Sequence, residues 1–415
     1  MKKNNLSYIL FLIIFITLAA CSNSSKNTGS MNEEALKGLE TLRTIANNDD
    51  YEFFGYDSRD EIGKEELGEP IEVKTIDIYK LQDEADPEDN IDKLVINTNE
   101  SIFPVMVNGE VMSSIRVASI DGEYEVVSSG SASLAKDIFK MIRTLGLNVE
   151  NSYLLELPGL ETLLIGRKNG RNIMVTPLYD NLELSLTEGV SINLYLIAKK
   201  LKEYSIEVEN EYNNMLPKNS TEGYKQTLPL KAGTEDTSLL WKILKVNLYP
   251  QEQSLWCWAA TGRMTMLFAG GDANTITQCA QANNAFKQTS CCNDGSSSVC
   301  NEAYLPLYGN WGFNASEIFN NGNQIYLSFN DLKTLIDAGK PIAFLWKWKS
   351  PGAHYMVAVG YNENPSASPP IQLVYYLNPE PVKKGGKVYC SYSSWLGGPD
   401  YNHKLTCLFT NITKK

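Results

Sequence analysis

Cys257 lies in the stretch Gln251-Glu-Gln-Ser-Leu-Trp-Cys257-Trp-Ala-Ala260, which opens an apolar run from Leu255 to Ala269. The run reads as a helix stopped by Gly270-Gly271. Cys257 then falls at or near a helix N-terminus, where unpaired backbone N–H groups and the positive end of the dipole favour an anion. A thiol so placed ionises more readily and becomes a usable nucleophile. Trp256 and Trp258 flank it and shield it from bulk water. Gln251, six residues upstream, is close enough to aim an amide N–H at an oxyanion forming on Cys257. A thiol nucleophile needs a base, and the chain has 2 His. His354 follows a Gly-containing turn at the start of an apolar strand. Its imidazole can take the Cys257 proton and later return it to a leaving amine. Asn378 ends the strand Val374-Tyr-Tyr-Leu377 and precedes Pro379. An amide oxygen there can accept the second imidazole N–H and fix the ring; a turn-forming Asn before Pro fits the same residues. His403, in the polar run Gly397 to Lys404, reads as a solvated loop His.

Composition narrows the partners. The net charge of −12 and the pI near 4.9 exclude a nucleic-acid partner, since phosphate binding needs a basic surface. An apolar fraction of 43% over 415 residues is ample for two domains with ordinary cores.

The Gln251–Cys257–Trp258 spacing, with a later His and Asn, resembles the papain-like cysteine peptidases. In that family a Gln precedes the nucleophilic Cys by six residues, the Cys opens the central helix, and Trp follows it. Trp-Cys-Trp-Ala-Ala looks most like the short bacterial branch, which includes effector peptidases of plant pathogens. It departs from the Cys-Gly-Ser/Ala-Cys-Trp signature of the plant and lysosomal enzymes. His354 follows Cys257 by 97 residues, which is similar to the short branch. The resemblance covers roughly residues 240–410. It implies catalytic Cys257, His354, Asn378 and Gln251, a protein or peptide substrate, and no metal or organic cofactor.

The N-terminus carries a targeting pattern. Lys2-Lys3 precede an apolar stretch, Leu6 to Leu18, that is short for a membrane span. Leu18-Ala19-Ala20-Cys21 resembles a bacterial lipobox, whose Cys is diacylated. Residues 1–20 are then a signal peptide and 21–30 a polar tether. Localisation follows: extracytoplasmic, lipid-anchored through Cys21 to the bacterial cell membrane or outer membrane. Of the 8 Cys, lipid on Cys21 leaves an odd number. Three disulfides and one nucleophile suit an oxidising compartment. Cys390 with Cys407 is an attractive pair, because both lie in strand-like runs. Cys279, Cys291, Cys292 and Cys300 then staple the loop after the second helix, with a zinc site as the other use of that cluster.

The elements that must position these residues divide in two. Residues 31–204 read as a separate α+β domain with neither His nor Cys. Leu36, Leu39, Leu42 and Ile45 mark an opening helix, and Asn108-Gly109 the clearest hairpin. The acidic run Glu84 to Asp89 reads as a solvated loop. A helix spans Val190 to Tyr204, and residues 205–240 are a polar linker. Residues 241–415 read as a papain-like domain: a strand at Leu244 to Leu248, the nucleophile helix, further helices at Thr275 to Phe286 and 329–338, then an antiparallel sheet carrying His354. The fold class is α+β throughout. The expected function is a membrane-anchored extracytoplasmic cysteine peptidase that works through a thioester acyl-enzyme. A peptidoglycan-cleaving amidase, or a lipoprotein binding module with an inactive peptidase-like domain, are the alternatives. The 31–204 unit is expected either as a pro-domain or as a permanent domain.

Overall fold

The computed structural model describes residues 30–415 except 49–50, 121, 158–159, 161, 170–171, 182, 216–240, 321–322, 367–369 and 398–402. The expected signal peptide, Cys21 and nearly all of the expected tether lie outside the described residues, as does most of the expected linker. No helix among the described residues is long and apolar enough to cross a membrane.

The N-terminal unit runs α1 (Met31–Asn48), β1 (Glu66–Leu67), β2 (Ile71–Ile76), α2 (Ile78–Asp83), α3 (Pro87–Leu94), β3 (Val95–Val107), β4 (Glu110–Ile120), β5 (Glu123–Gly130), α4 (Ala132–Thr144), β6 (Ser152–Leu157), β7 (Thr162–Asn169), β8 (Asn172–Pro177), β9 (Ile192–Asn193) and α5 (Ala198–Met215). The C-terminal unit runs β10 (Trp241–Ile243), α6 (Cys257–Phe268), α7 (Gln278–Phe286), β11 (Phe313–Phe319), α8 (Phe329–Asp337), β12 (Ile342–Trp348), β13 (Ala353–Asn364), β14 (Ile371–Asn378), β15 (Gly386–Ser391), α9 (Tyr392–Leu396) and β16 (His403–Lys414).

Local chemistry sets many of these bounds. Asn108 and Gly109 take φ of 51° and 81°, the left-handed pair that a two-residue hairpin between β3 and β4 requires. Ser328 caps α8 by accepting from Asp331 N at 3.1 Å, and Gly339 ends it at φ 74°. Other bounds moved. α1 buries Ala35, Leu39, Leu42 and Ile45, while Leu36 is exposed. The C-terminal unit starts its sheet at Trp241–Ile243, and Leu244 to Leu248 is irregular. α5 starts later than the pattern suggested and continues to Met215, so the first part of the expected linker is helix. The acidic run Glu84 to Asp89 spans a helix junction, with Pro87 opening α3.

The two units share one sheet. Its order is β11-β16-β12-β13-β14-β15-β5-β4-β3-β2-β6-β7-β8-β9, and among its described pairings only β2 with β6 is parallel. The junction is short: Val388 pairs with Gly130 and Tyr389 with Ser129. Gly130 sits at φ 116°, and a Cβ there would lie 2.5 Å from Lys387 O, so only glycine lets the strands meet. Side chains widen the junction. Phe54 lies edge-on to Tyr375 at 5.8 Å and Tyr389 at 5.7 Å, within one core that also holds Leu39 and Leu42 of α1 and Phe344 of β12. The expected separateness of 31–204 therefore gives way to a common core, because β5 and Phe53-Phe54 need the C-terminal unit to cover them.

The cysteines also differ from expectation. Cys279 bonds Cys292 and Cys291 bonds Cys300, with Cα–Cα distances of 4.8 and 5.4 Å. Those four staple the loop after α7 as disulfides, not as a zinc site. Cys390 and Cys407 do not pair. β12, β13 and β14 stand between their strands, a separation of roughly 19 Å at the usual spacing; a disulfide needs Cα atoms within about 7 Å. Cys257, Cys390 and Cys407 remain thiols, so the described residues hold two disulfides in place of three.

A common core predicts common unfolding. All 7 Trp lie at or after Trp241, so their fluorescence reports the C-terminal unit alone. Phe54→Ala, in the other unit, should cost about 3–5 kcal/mol and move the tryptophan unfolding midpoint with it. An unmoved tryptophan transition would show that the units unfold independently.

Candidate active site

The turn before Cys257 is clamped from several sides. Gln251 is fully buried. Its backbone N–H donates to Pro379 O at 2.9 Å, and its carbonyl accepts from Lys383 N at 2.8 Å. Its side-chain amide donates to Ser254 O at 2.8 Å, which fixes it inside the turn. Gln278 of α7 binds the same segment twice, donating to Pro250 O at 2.7 Å and accepting from Glu252 N at 2.9 Å. Asn301 accepts from Leu255 N at 3.0 Å and donates to Ser254 Oγ at 2.8 Å. The same Asn301 amide donates to Glu183 of the N-terminal unit at 3.1 Å.

The disulfide loop holds the flanking indoles. Trp256 Nε1 donates to Cys300 O at 2.7 Å and Trp258 Nε1 to Glu302 O at 3.1 Å. Both rings are buried, so each buried N–H finds an oxygen. Cys257 follows as the first residue of α6, itself buried.

His354 and Asn378 meet across β13 and β14. His354 Nε2 lies 2.7 Å from Asn378 Oδ1. The identity of that oxygen is fixed by a second contact: Glu380 N donates to it at 2.9 Å, and a backbone N–H can only donate. Nε2 must then carry a proton and donate, which leaves Nδ1 of the neutral ring as the acceptor. Burial lowers the His354 pKa to about 4, against a smaller upward pull from the Asn378 hydrogen bond. The ring is neutral at neutral pH. Nδ1 has no hydrogen-bond partner among the described residues.

α6 packs against β13 and β12. Cys257 shares an apolar cluster with Tyr355 and Ala353, the residues on either side of His354. The structure thus joins His354 directly to Asn378, ties Gln251 to Pro379 beside Asn378, and places Cys257 in the same apolar cluster as the neighbours of His354. A cavity of about 180 Å³ lies beside the pair, lined by His354, Asn378, Glu380 and Trp346, and from the N-terminal unit by Arg116 and Glu156. Cys257 and Gln251 are not among its described walls.

His403 is not a solvated loop residue. It is buried, stacked on Trp346 with centroids 3.7 Å apart, and donates through Nε2 to Ser394 O at 2.8 Å. Burial lowers its pKa to about 3. Sequence reading also passed over Asn301, Gln278 and Glu380. Glu380 carried one signal, a carboxylate two residues after the candidate orienter.

Both imidazoles bind a proton near pH 6.5 when unfolded and far below that when folded. The unfolded chain therefore holds more protons between these values, and the contribution to stability is lost as pH falls below about 6.5. The urea midpoint of the wild type should fall more steeply between pH 7 and 4 than that of His403→Gln. Equal slopes would contradict the buried neutral state of His403.

Residues 243–393 match the model of the Peptidase_C39 like family. The match starts in β10, ends in α9, and includes Gln251, Cys257, His354 and Asn378. No curated protein matches the chain. The C-terminal unit is thus similar to papain-like cysteine peptidases, and cysteine peptidase activity is supported at the level of that family.

Proposed function

We propose that the chain is a membrane-anchored, extracytoplasmic cysteine peptidase that hydrolyses peptide bonds through a thioester acyl-enzyme. The observation that carries this reading is the His354–Asn378 pair, with the amide oxygen turned to the ring and Nδ1 left as the accepting nitrogen. Cys257 attacks the carbonyl while His354 takes its proton. The second N–H of the Gln251 amide and the Cys257 backbone N–H hold the oxyanion. His354 then protonates the leaving amine, and water hydrolyses the thioester. A lipid on Cys21 supplies the anchor; the support for it is the lipobox-like sequence. Within enzymes, a peptidoglycan-cleaving amidase would use the same residues on another amide.

A second reading has its own observation. Cys257 and Gln251 are not among the described walls of the cavity that His354 and Asn378 line, as expected of a binding module with an inactive peptidase-like domain. Catalytic contacts often close only with substrate bound, which is why the peptidase reading is preferred.

For residues 31–204 we propose a permanent part of the enzyme, not a removable pro-domain. The common core, the β5–β15 pairing and the Glu183–Asn301 contact support it. Cutting between residues 216 and 240 should leave the parts associated on gel filtration and the activity unchanged. A rise in activity, reversed by added 31–204 fragment, would restore the pro-domain.

In cell-derived protein, a thiol-directed epoxide should label Cys257 selectively, and Cys21 should carry the mass of a diacylglycerol. Cys257→Ala and His354→Ala should each lower kcat/KM on a peptide substrate by about 10⁴-fold or more, and Asn378→Ala by clearly less. Peptide turnover by Cys257→Ala would end the peptidase reading, and absence of the added mass would remove the lipid anchor.

A further inference from the structure

Glu380 follows Asn378 by two residues, and the mechanism above leaves its carboxyl group unused. Its Oε2 lies 4.0 Å from His354 Nε2, with side-chain exposures of 17% for Glu380 and 3% for His354. The backbone of the same residue supplies the second hydrogen to Asn378 Oδ1. One residue therefore both orients the orienter and places an ionisable group against the ring edge.

The groups facing Glu380 come largely from the other unit. Glu156 of β6 lines the same cavity as Glu380 and His354, and its charge adds to the effect of burial on Glu380. Glu156 is held by Arg116 of β4 in two bonds of 2.8 and 2.9 Å, and Arg116 also reaches Glu100 of β3 at 3.2 Å. Tyr179 follows β8 and feels Glu380, and it donates to Asp137 of α4, which pairs with Lys384. The Arg116 guanidinium thus holds Glu100 and Glu156, while Glu380 lines the same cavity. Burial and the charge of Glu156 hold Glu380 protonated well above the usual carboxylate range.

We propose that Glu380 is a positioning residue for His354, whose carboxyl group, once ionised, stabilises the imidazolium formed when the ring takes the Cys257 proton, and that Glu156 of the N-terminal unit governs that ionisation. The inference rests on the peptidase reading. At rest Glu380 is neutral and His354 is neutral. As pH rises, Glu380 releases its proton to solvent. The negative charge 4.0 Å from Nε2 then favours the protonated ring, and with it the thiolate of Cys257. The N-terminal unit in this way sets the pH at which the nucleophile is armed.

The test is the pH profile of Cys257 alkylation by iodoacetamide in the full chain, followed by peptide mapping, with kcat/KM profiles beside it. Glu380→Gln can never supply the charge, so its thiolate limb should move to higher pH by about one unit. Glu156→Gln removes the charge that keeps Glu380 protonated, so its limb should move to lower pH. Opposite displacements are a signature that a loss of packing would not give, and Glu380→Asp should recover part of the wild-type profile. If Cys257 is labelled selectively but both variants leave its limb in place, or move it the same way, the role of Glu380 is overturned and the peptidase reading stands. If native Cys257 reacts no faster than the buried Cys390 and Cys407, the peptidase reading itself fails.

Discussion

The amide oxygen of Asn378 accepts two hydrogens, one from the His354 ring and one from the Glu380 backbone. That double acceptance is the constraint on which the site depends. It decides which end of the amide faces the ring, which nitrogen of the ring is protonated, and which is left to accept. The carbonyl oxygen has two lone pairs, so it satisfies both donors at once. The following chain, Pro379 to Lys383, then binds both ends of the Gln251 peptide unit. The strand end that holds His354 and the turn that leads to Cys257 are thus one hydrogen-bonded assembly.

The disulfide loop completes the other wall. Its contribution to the site is geometric: Cys300 O, Asn301 and Glu302 O take the N–H groups of Trp256, Leu255 and Trp258. Cross-linking such a short loop restricts its conformations before any contact is made. The loop therefore presents three acceptors at fixed positions. The indoles lock the first turn of α6, which Cys257 opens, against them.

Much of this was legible in sequence because it depends on short-range chemistry. The glycines after Ala269, the Asn108-Gly109 turn, the Ser328 cap and the Gln–Cys spacing each act over a few residues. What was not legible depends on distant partners. His403 looked solvated because its neighbours in sequence are polar, yet Trp346 covers its face. Leu36 looked like core because it has the right period, but the helix turns Ala35 inward instead. Cys390 and Cys407 looked like a pair because both lie in strands; strand order, which no local pattern states, sets them apart. The common core of the two units rests on a two-residue pairing, β5 with β15, too small to leave a periodic signal.

That junction bears on how the chain is made. The edge of β5 and the Phe53-Phe54 face emerge early in synthesis, whereas β15 and Tyr389 follow more than half the chain later. During that interval the N-terminal unit carries an unpaired strand edge and uncovered aromatic rings, which is the surface on which chains associate wrongly. Gly130 ends this exposed edge, and a strand that must stay unpaired until its partner arrives gains from closing on a residue with little β propensity. Production of either unit alone would make the interval permanent, so soluble material is to be sought from the whole chain.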